Sequence, residues 1–105
     1  MVCSGAGARR SGGRKLSAAT WPAILVLGRD TCDDTIRSRA YLTARSIPFD
    51  YRNVELDASA DLLNRSFNGG DRVTPVILLG DPVQPARVLI EPSDGELDAA
   101  IAEVA

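Results

Sequence analysis

Cys32 is the residue in this sequence best placed to do chemistry. It follows the apolar run Ile24-Leu25-Val26-Leu27 and the break at Gly28, where a strand gives way to a helix. A thiol at that junction meets the unpaired N–H groups and the positive dipole end of the helix, and both favour thiolate, the nucleophilic and metal-binding form. Arg29 stands just upstream as a cation for thiol activation, and Thr35 carries a hydroxyl that can bond the sulfur. Asp33 and Asp34 suit the first helical turn, each worth about 0.3–1 kcal/mol with the dipole. Beside Cys32 they also oppose its ionisation.

The composition removes many other chemistries. The chain has no histidine, so a serine triad, a His-assisted cysteine nucleophile and a Cys/His zinc site within one chain are excluded. Its two cysteines, Cys3 and Cys32, do not resemble the disulfide framework of a small secreted domain and fit a reducing cytoplasm. The 14 acids all fall at or after Asp30, whereas Arg9, Arg10, Arg14 and Lys15 lie in the first twenty residues. The body is therefore acidic, with few aromatics, which argues against a nucleic-acid surface. No apolar run is long enough to span a membrane.

At 105 residues the chain supports one hydrophobic core. Residues 1–21, rich in Ser, Gly, Ala and Arg, read as a disordered tail; residues 22–105 form the domain. Ala23 to Leu27 is a central strand candidate. Cys32 to Ser46 fits a helix with Ile36, Ala40, Leu42 or Thr43, and Ile47 on its inner face, ending before Pro48. Phe49 to Leu56 is a half-buried, parallel strand completing a right-handed βαβ unit. Asp57 or Ser59 caps a short helix carrying Leu62, Leu63 and Phe67, which stops at Asn68-Gly69-Gly70. Val73 to Gly80 and Ala86 to Glu91 make a β-hairpin, and Ser93 or Asp94 caps a last helix bearing Leu97, Ile101 and Val104.

Taken together, the strand-loop-Cys32-x-x-Thr35 helix start, the stretch Asn68-Gly69-Gly70-Asp71-Arg72-Val73-Thr74-Pro75-Val76 and the β-α-β-α-β-β-α order resemble the glutaredoxin-like branch of the thioredoxin fold, in particular the small glutaredoxins and mycoredoxins. The resemblance implies a four-stranded mixed sheet with helices on both faces and a cis peptide before Pro75, its backbone facing Cys32. It also implies that Arg72, Val73, Thr74 and Pro75, with Ser93 and Asp94 at the last helix start, bind a small thiol. Where dithiol relatives carry a second cysteine this chain has Thr35, which makes it a monothiol Cys-x-x-Thr variant. The activity implied is reduction of mixed disulfides between proteins and a low-molecular-weight thiol such as glutathione or mycothiol. It needs no resident cofactor and no metal, and fits a cytoplasmic monomer acting on neither nucleic acid nor membrane. The alternatives on the same fold are a redox-inactive binding module and a carrier of an iron–sulfur cluster.

Overall fold

The computed structural model describes residues 23–104; the tail at 1–21, and Cys3 with it, lies outside the described residues. The unbroken apolar run becomes β1 (Ile24–Gly28) because both of its faces are covered. Ile24 and Val26 enter one core layer while Leu25 and Leu27 enter the other. β2 (Asp50–Asn53) runs parallel to β1. On the other side β3 (Val76–Gly80) pairs antiparallel with β1, and β4 (Pro85–Ile90) pairs antiparallel with β3. The strand order is β2-β1-β3-β4.

Helices close both faces of this sheet. α1 (Asp33–Ala44) and α3 (Asp94–Val104) bring Leu42, Leu97, Ala100 and Ile101 against Ile24, Val26, Ile77 and Leu79. α2 (Ala58–Ser66) brings Ala60, with Leu63 and Phe67 beside it, against Leu27, Val54, Val76 and Leu78 on the opposite face. Val26, Leu27, Ile77 and Leu78 have no exposed surface; burial of each such side chain is worth about 1.5–3 kcal/mol. The element order, the mixed sheet and the two-sided helical cover are those that the sequence resemblance implied.

Local differences from the sequence reading have physical causes. The inner face of α1 is Thr35, Ser38 and Leu42, not the stripe through Ile36 and Ala40; Ile36 is 48% exposed and Ala40 is exposed. A Cβ placed on Gly28 would lie 2.5 Å from the Thr35 side chain, so helix and strand approach there at a distance that admits only small groups. Leu62 is 71% exposed, and the buried residues of α2 are Ala60 and Asn64. β2 is shorter than Phe49 to Leu56, and α1 ends at Ala44, where Ser46 takes a positive φ of 57°. Asp57, not Ser59, caps α2, its carboxylate accepting the Ala60 N–H at 3.0 Å.

Candidate active site

β1 delivers the chain to a tight loop after Gly28, and Cys32 occupies the N-cap of α1 with extended dihedrals, φ −85° and ψ 119°. Its backbone is spent locally: the Cys32 N–H donates to the Arg29 carbonyl at 3.2 Å, and its own carbonyl accepts the Ile36 N–H at 3.0 Å. No side chain caps this helix. The first-turn N–H groups are thereby left facing the sulfur.

Opposite the thiol stands the stretch before β3. The thiol donates to the Thr74 carbonyl oxygen, with sulfur and oxygen 3.5 Å apart, and the Thr74–Pro75 peptide is cis. Pro75 is fully buried, and its carbonyl accepts the Glu91 N–H at 2.9 Å. Asn64, without exposed surface, fixes the approach to this stretch. Its amide donates to the Val73 carbonyl at 2.6 Å and accepts the Val73 N–H at 3.0 Å, as a neighbouring strand would.

Arg29 and Thr35 join the same cluster. The Arg29 Nε–H donates to the Thr74 hydroxyl oxygen at 3.3 Å, which leaves the hydroxyl hydrogen free to turn toward the sulfur. The Arg29 N–H donates to Thr35 Oγ1 at 3.4 Å. Burial pushes the Cys32 thiol up, but hydrogen bonds from the Thr74 and Thr35 side chains and from the Thr35 and Asp34 backbone outweigh it and hold the thiol below its ordinary value. The Thr74 carbonyl serves only the neutral thiol, because accepting from S–H requires the proton. On ionisation the sulfur turns from that acceptor to the donors around it.

Other residues singled out in the sequence lie in different settings. Arg72 is held by Asp61, Nε to Oδ1 2.8 Å, and Arg65 shares the same carboxylate at 3.0 Å. Its bond is to the α2 carboxylate rather than to the thiol. At the start of α3, Ser93 rather than Asp94 is the cap: its hydroxyl accepts the Glu96 N–H at 3.1 Å while its own N–H donates to Glu96 Oε1 at 2.8 Å. That reciprocal box occupies the helix end offered by the sequence reading to a ligand carboxylate. Asp94 faces Arg37, 3.6 Å away, and Arg37 also binds Asp34 at 2.8 Å and the Pro92 carbonyl at 3.0 Å.

Three features of the site escaped the sequence reading. Asn64 carries no motif, and its signal, a polar residue on the apolar face of a short helix, is visible only once the helix is docked. Gly28 was a loop marker, whereas its missing side chain is what admits Thr35. Asp30 in the cysteine loop is braced to β2: Tyr51 donates to it at 2.7 Å, and Arg39 lies 3.6 Å from it with its guanidinium 3.8 Å over the Tyr51 ring.

No protein-family model and no curated protein matches this sequence. Among solved structures, a glutaredoxin from Archaeoglobus fulgidus superposes with a TM-score of 0.58 at 16% identity, over 85% of this chain and 96% of that one. No helix among the described residues is long and apolar enough to cross a membrane. The chain therefore has the thioredoxin-like fold of a glutaredoxin, with its single described cysteine at the head of α1 and facing Thr74.

Proposed function

We propose that this protein is a monothiol thiol–disulfide oxidoreductase of glutaredoxin type, which reduces mixed disulfides between proteins and a low-molecular-weight thiol through Cys32. The observation that carries the reading is the placement of Cys32 Sγ at an uncapped helix start, 3.5 Å from the Thr74 carbonyl beside the cis peptide.

In the first step the Cys32 thiolate attacks the small-thiol sulfur of the mixed disulfide. The bond to the protein sulfur breaks, and the target protein leaves as a thiolate that takes a proton from solvent. A second molecule of the same small thiol, the reductant, then attacks the sulfur carried by Cys32. It departs as the symmetrical small disulfide and restores the thiolate. Cys32 needs no resolving cysteine for this cycle, which suits Thr35 at the position where dithiol relatives carry their second thiol.

The other residues prepare this thiol. Arg29 orients the Thr74 hydroxyl, Thr35 and the first-turn N–H groups receive negative charge on sulfur, and the Val73-Thr74-Pro75 backbone, held by Asn64, aligns the incoming disulfide. The small thiol and a protein mixed disulfide are the partners, in a cytoplasmic setting. Reduction of a mixed disulfide between a reporter protein and a small thiol, followed by mass spectrometry, tests the reading. Loss of the reaction in Cys32→Ser is expected, and full retention would overturn it.

A further inference from the structure

Recognition of an anionic small thiol requires cations or open helix ends around the sulfur; in this molecule the cations and the start of α3 are already taken, and the open start of α1 is left to Cys32 itself. Arg29 lies 4.0 Å from Glu55, Arg37 is shared by Asp34 and Asp94, Arg39 is held by Asp30, and Arg72 by Asp61. The start of α3 is filled by the chain's own carboxylate, Glu96 Oε1, bonded to the Ser93 N–H. A ligand carboxylate arriving here would compete with an internal one at each of these positions.

The acids, by contrast, are not all matched. Asp33, next to Cys32 and exposed, makes no ion pair or side-chain hydrogen bond among the described residues, where each cation named above has a carboxylate partner. Asp94 Oδ1 is buried without a hydrogen-bond partner, the Arg37 Nε at 3.6 Å being too far to donate. Among the described residues eight arginines stand against 14 acids. The domain around the cysteine loop is therefore net negative, and Asp33 is the unpaired carboxylate next to Cys32.

From this we infer that the cleft selects disulfides whose small-thiol half carries an ammonium group and no carboxylate. The inference rests on the oxidoreductase reading above and names the substrate class of the same site. The thiolate attack and the release by a second small thiol are unchanged; what the net negative charge alters is the encounter with the disulfide and the residence of its small-thiol half.

The test compares three symmetrical disulfides on the full chain: cystamine, cationic; bis(2-hydroxyethyl) disulfide, neutral; and glutathione disulfide, anionic. The rate of mixed-disulfide formation on Cys32 is read by mass spectrometry in single turnover. Each rate is divided by that of free 2-mercaptoethanol thiolate with the same disulfide, so that intrinsic reactivity cancels. The expected order is cystamine, then the neutral disulfide, then glutathione disulfide, with roughly a tenfold span at low ionic strength. That span collapses as salt shortens the screening length to about 3 Å near 1 M. Asp33→Asn lowers the cystamine-to-glutathione-disulfide ratio about two- to threefold, the scale of one water-screened charge, and a ratio taken on one variant is insensitive to its thiolate fraction. Equal rates, the reverse order or a salt-independent span would overturn the charge preference while leaving the oxidoreductase reading intact. Failure of Cys32 to react with any of the three would remove that reading, and this inference with it.

Discussion

The starts of α1 and α3 are built from similar residues and finished in opposite ways. Each opens with acids in its first turn, Asp33 and Asp34 in one, Asp94 and Glu96 in the other. α3 closes its end with the reciprocal Ser93–Glu96 box, and α2 does the same more simply with Asp57. α1 has Cys32 at the cap and no side-chain bond to its first-turn N–H groups. A missing cap costs about 1 kcal/mol, so the chain forgoes stability at the one helix start where a sulfur faces a cis-proline strand. Capped ends serve the scaffold, and the uncapped end leaves its donors to the thiolate.

Cys32→Ser breaks this contrast most severely. Serine is a good N-cap and a poor nucleophile, so the variant is expected to lose disulfide reduction entirely while gaining about 0.5–1 kcal/mol in urea unfolding. Activity and stability thus move in opposite directions. A variant both inactive and less stable would show that the sulfur is packed as a core residue rather than held as a reactive one.

Glycine-to-alanine substitutions at the two ends sharpen the same difference. At Gly28 the new methyl would meet Thr35 at 2.5 Å, so Gly28→Ala is expected to destabilise by about 1–3 kcal/mol. By displacing the first turn of α1 it also slows Cys32 alkylation at neutral pH. At Gly95, in the first turn of α3, the nearest atom is Ser93 Oγ at 3.9 Å. Gly95→Ala is expected to stabilise by up to about 1 kcal/mol and to leave alkylation unchanged. Urea midpoints and alkylation rates on the two variants decide the matter.

The contrast also explains what was legible in the residues. Ile24 to Leu27 and Val76 to Leu79 are apolar without interruption because both faces of β1 and β3 are covered, and that pattern is local. The Cys32 helix start and the Thr74–Pro75 approach were legible as spacing. The face of α1 was not: apolarity points to Ile36, while the close approach at Gly28 selects Thr35 and Ser38. Nor was Asn64, whose two bonds to Val73 span nine residues and exist only after α2 docks. The pairing of arginines with Glu55, Asp61 and Asp94 is likewise long-range, so cations that look available in sequence are occupied in the fold.

Ser93→Ala removes the hydroxyl that accepts the Glu96 N–H. A loss of about 1 kcal/mol is expected, with the pH dependence of Cys32 alkylation unchanged, since the capping box touches neither Thr74 nor Thr35. A shift of the alkylation midpoint in this variant would mean that the two helix starts are coupled through Arg37, which bridges Asp34 and Asp94.

The smallest effect concerns the thiol's own titration. Burial raises the Cys32 pKa, and the Thr74, Thr35 and Asp34 hydrogen bonds lower it by more, so the folded value lies below the unfolded one. Between those two values the unfolded chain binds the extra proton, and stability rises with pH. The contribution is complete above the unfolded value, about 8.5, and is lost as pH falls through the lowered folded one. Wild-type and Cys32→Ser urea midpoints, compared from about pH 6 to about pH 9.5, should therefore draw together toward the alkaline end, because only the wild type gains there. Thr35→Val keeps the shape against Gly28 and deletes one donor, so it should flatten the slope and raise the alkylation midpoint. A wild-type midpoint above the free-cysteine value of about 8.5 would instead mark the uncapped end of α1 as the floor of a redox-silent binding cleft.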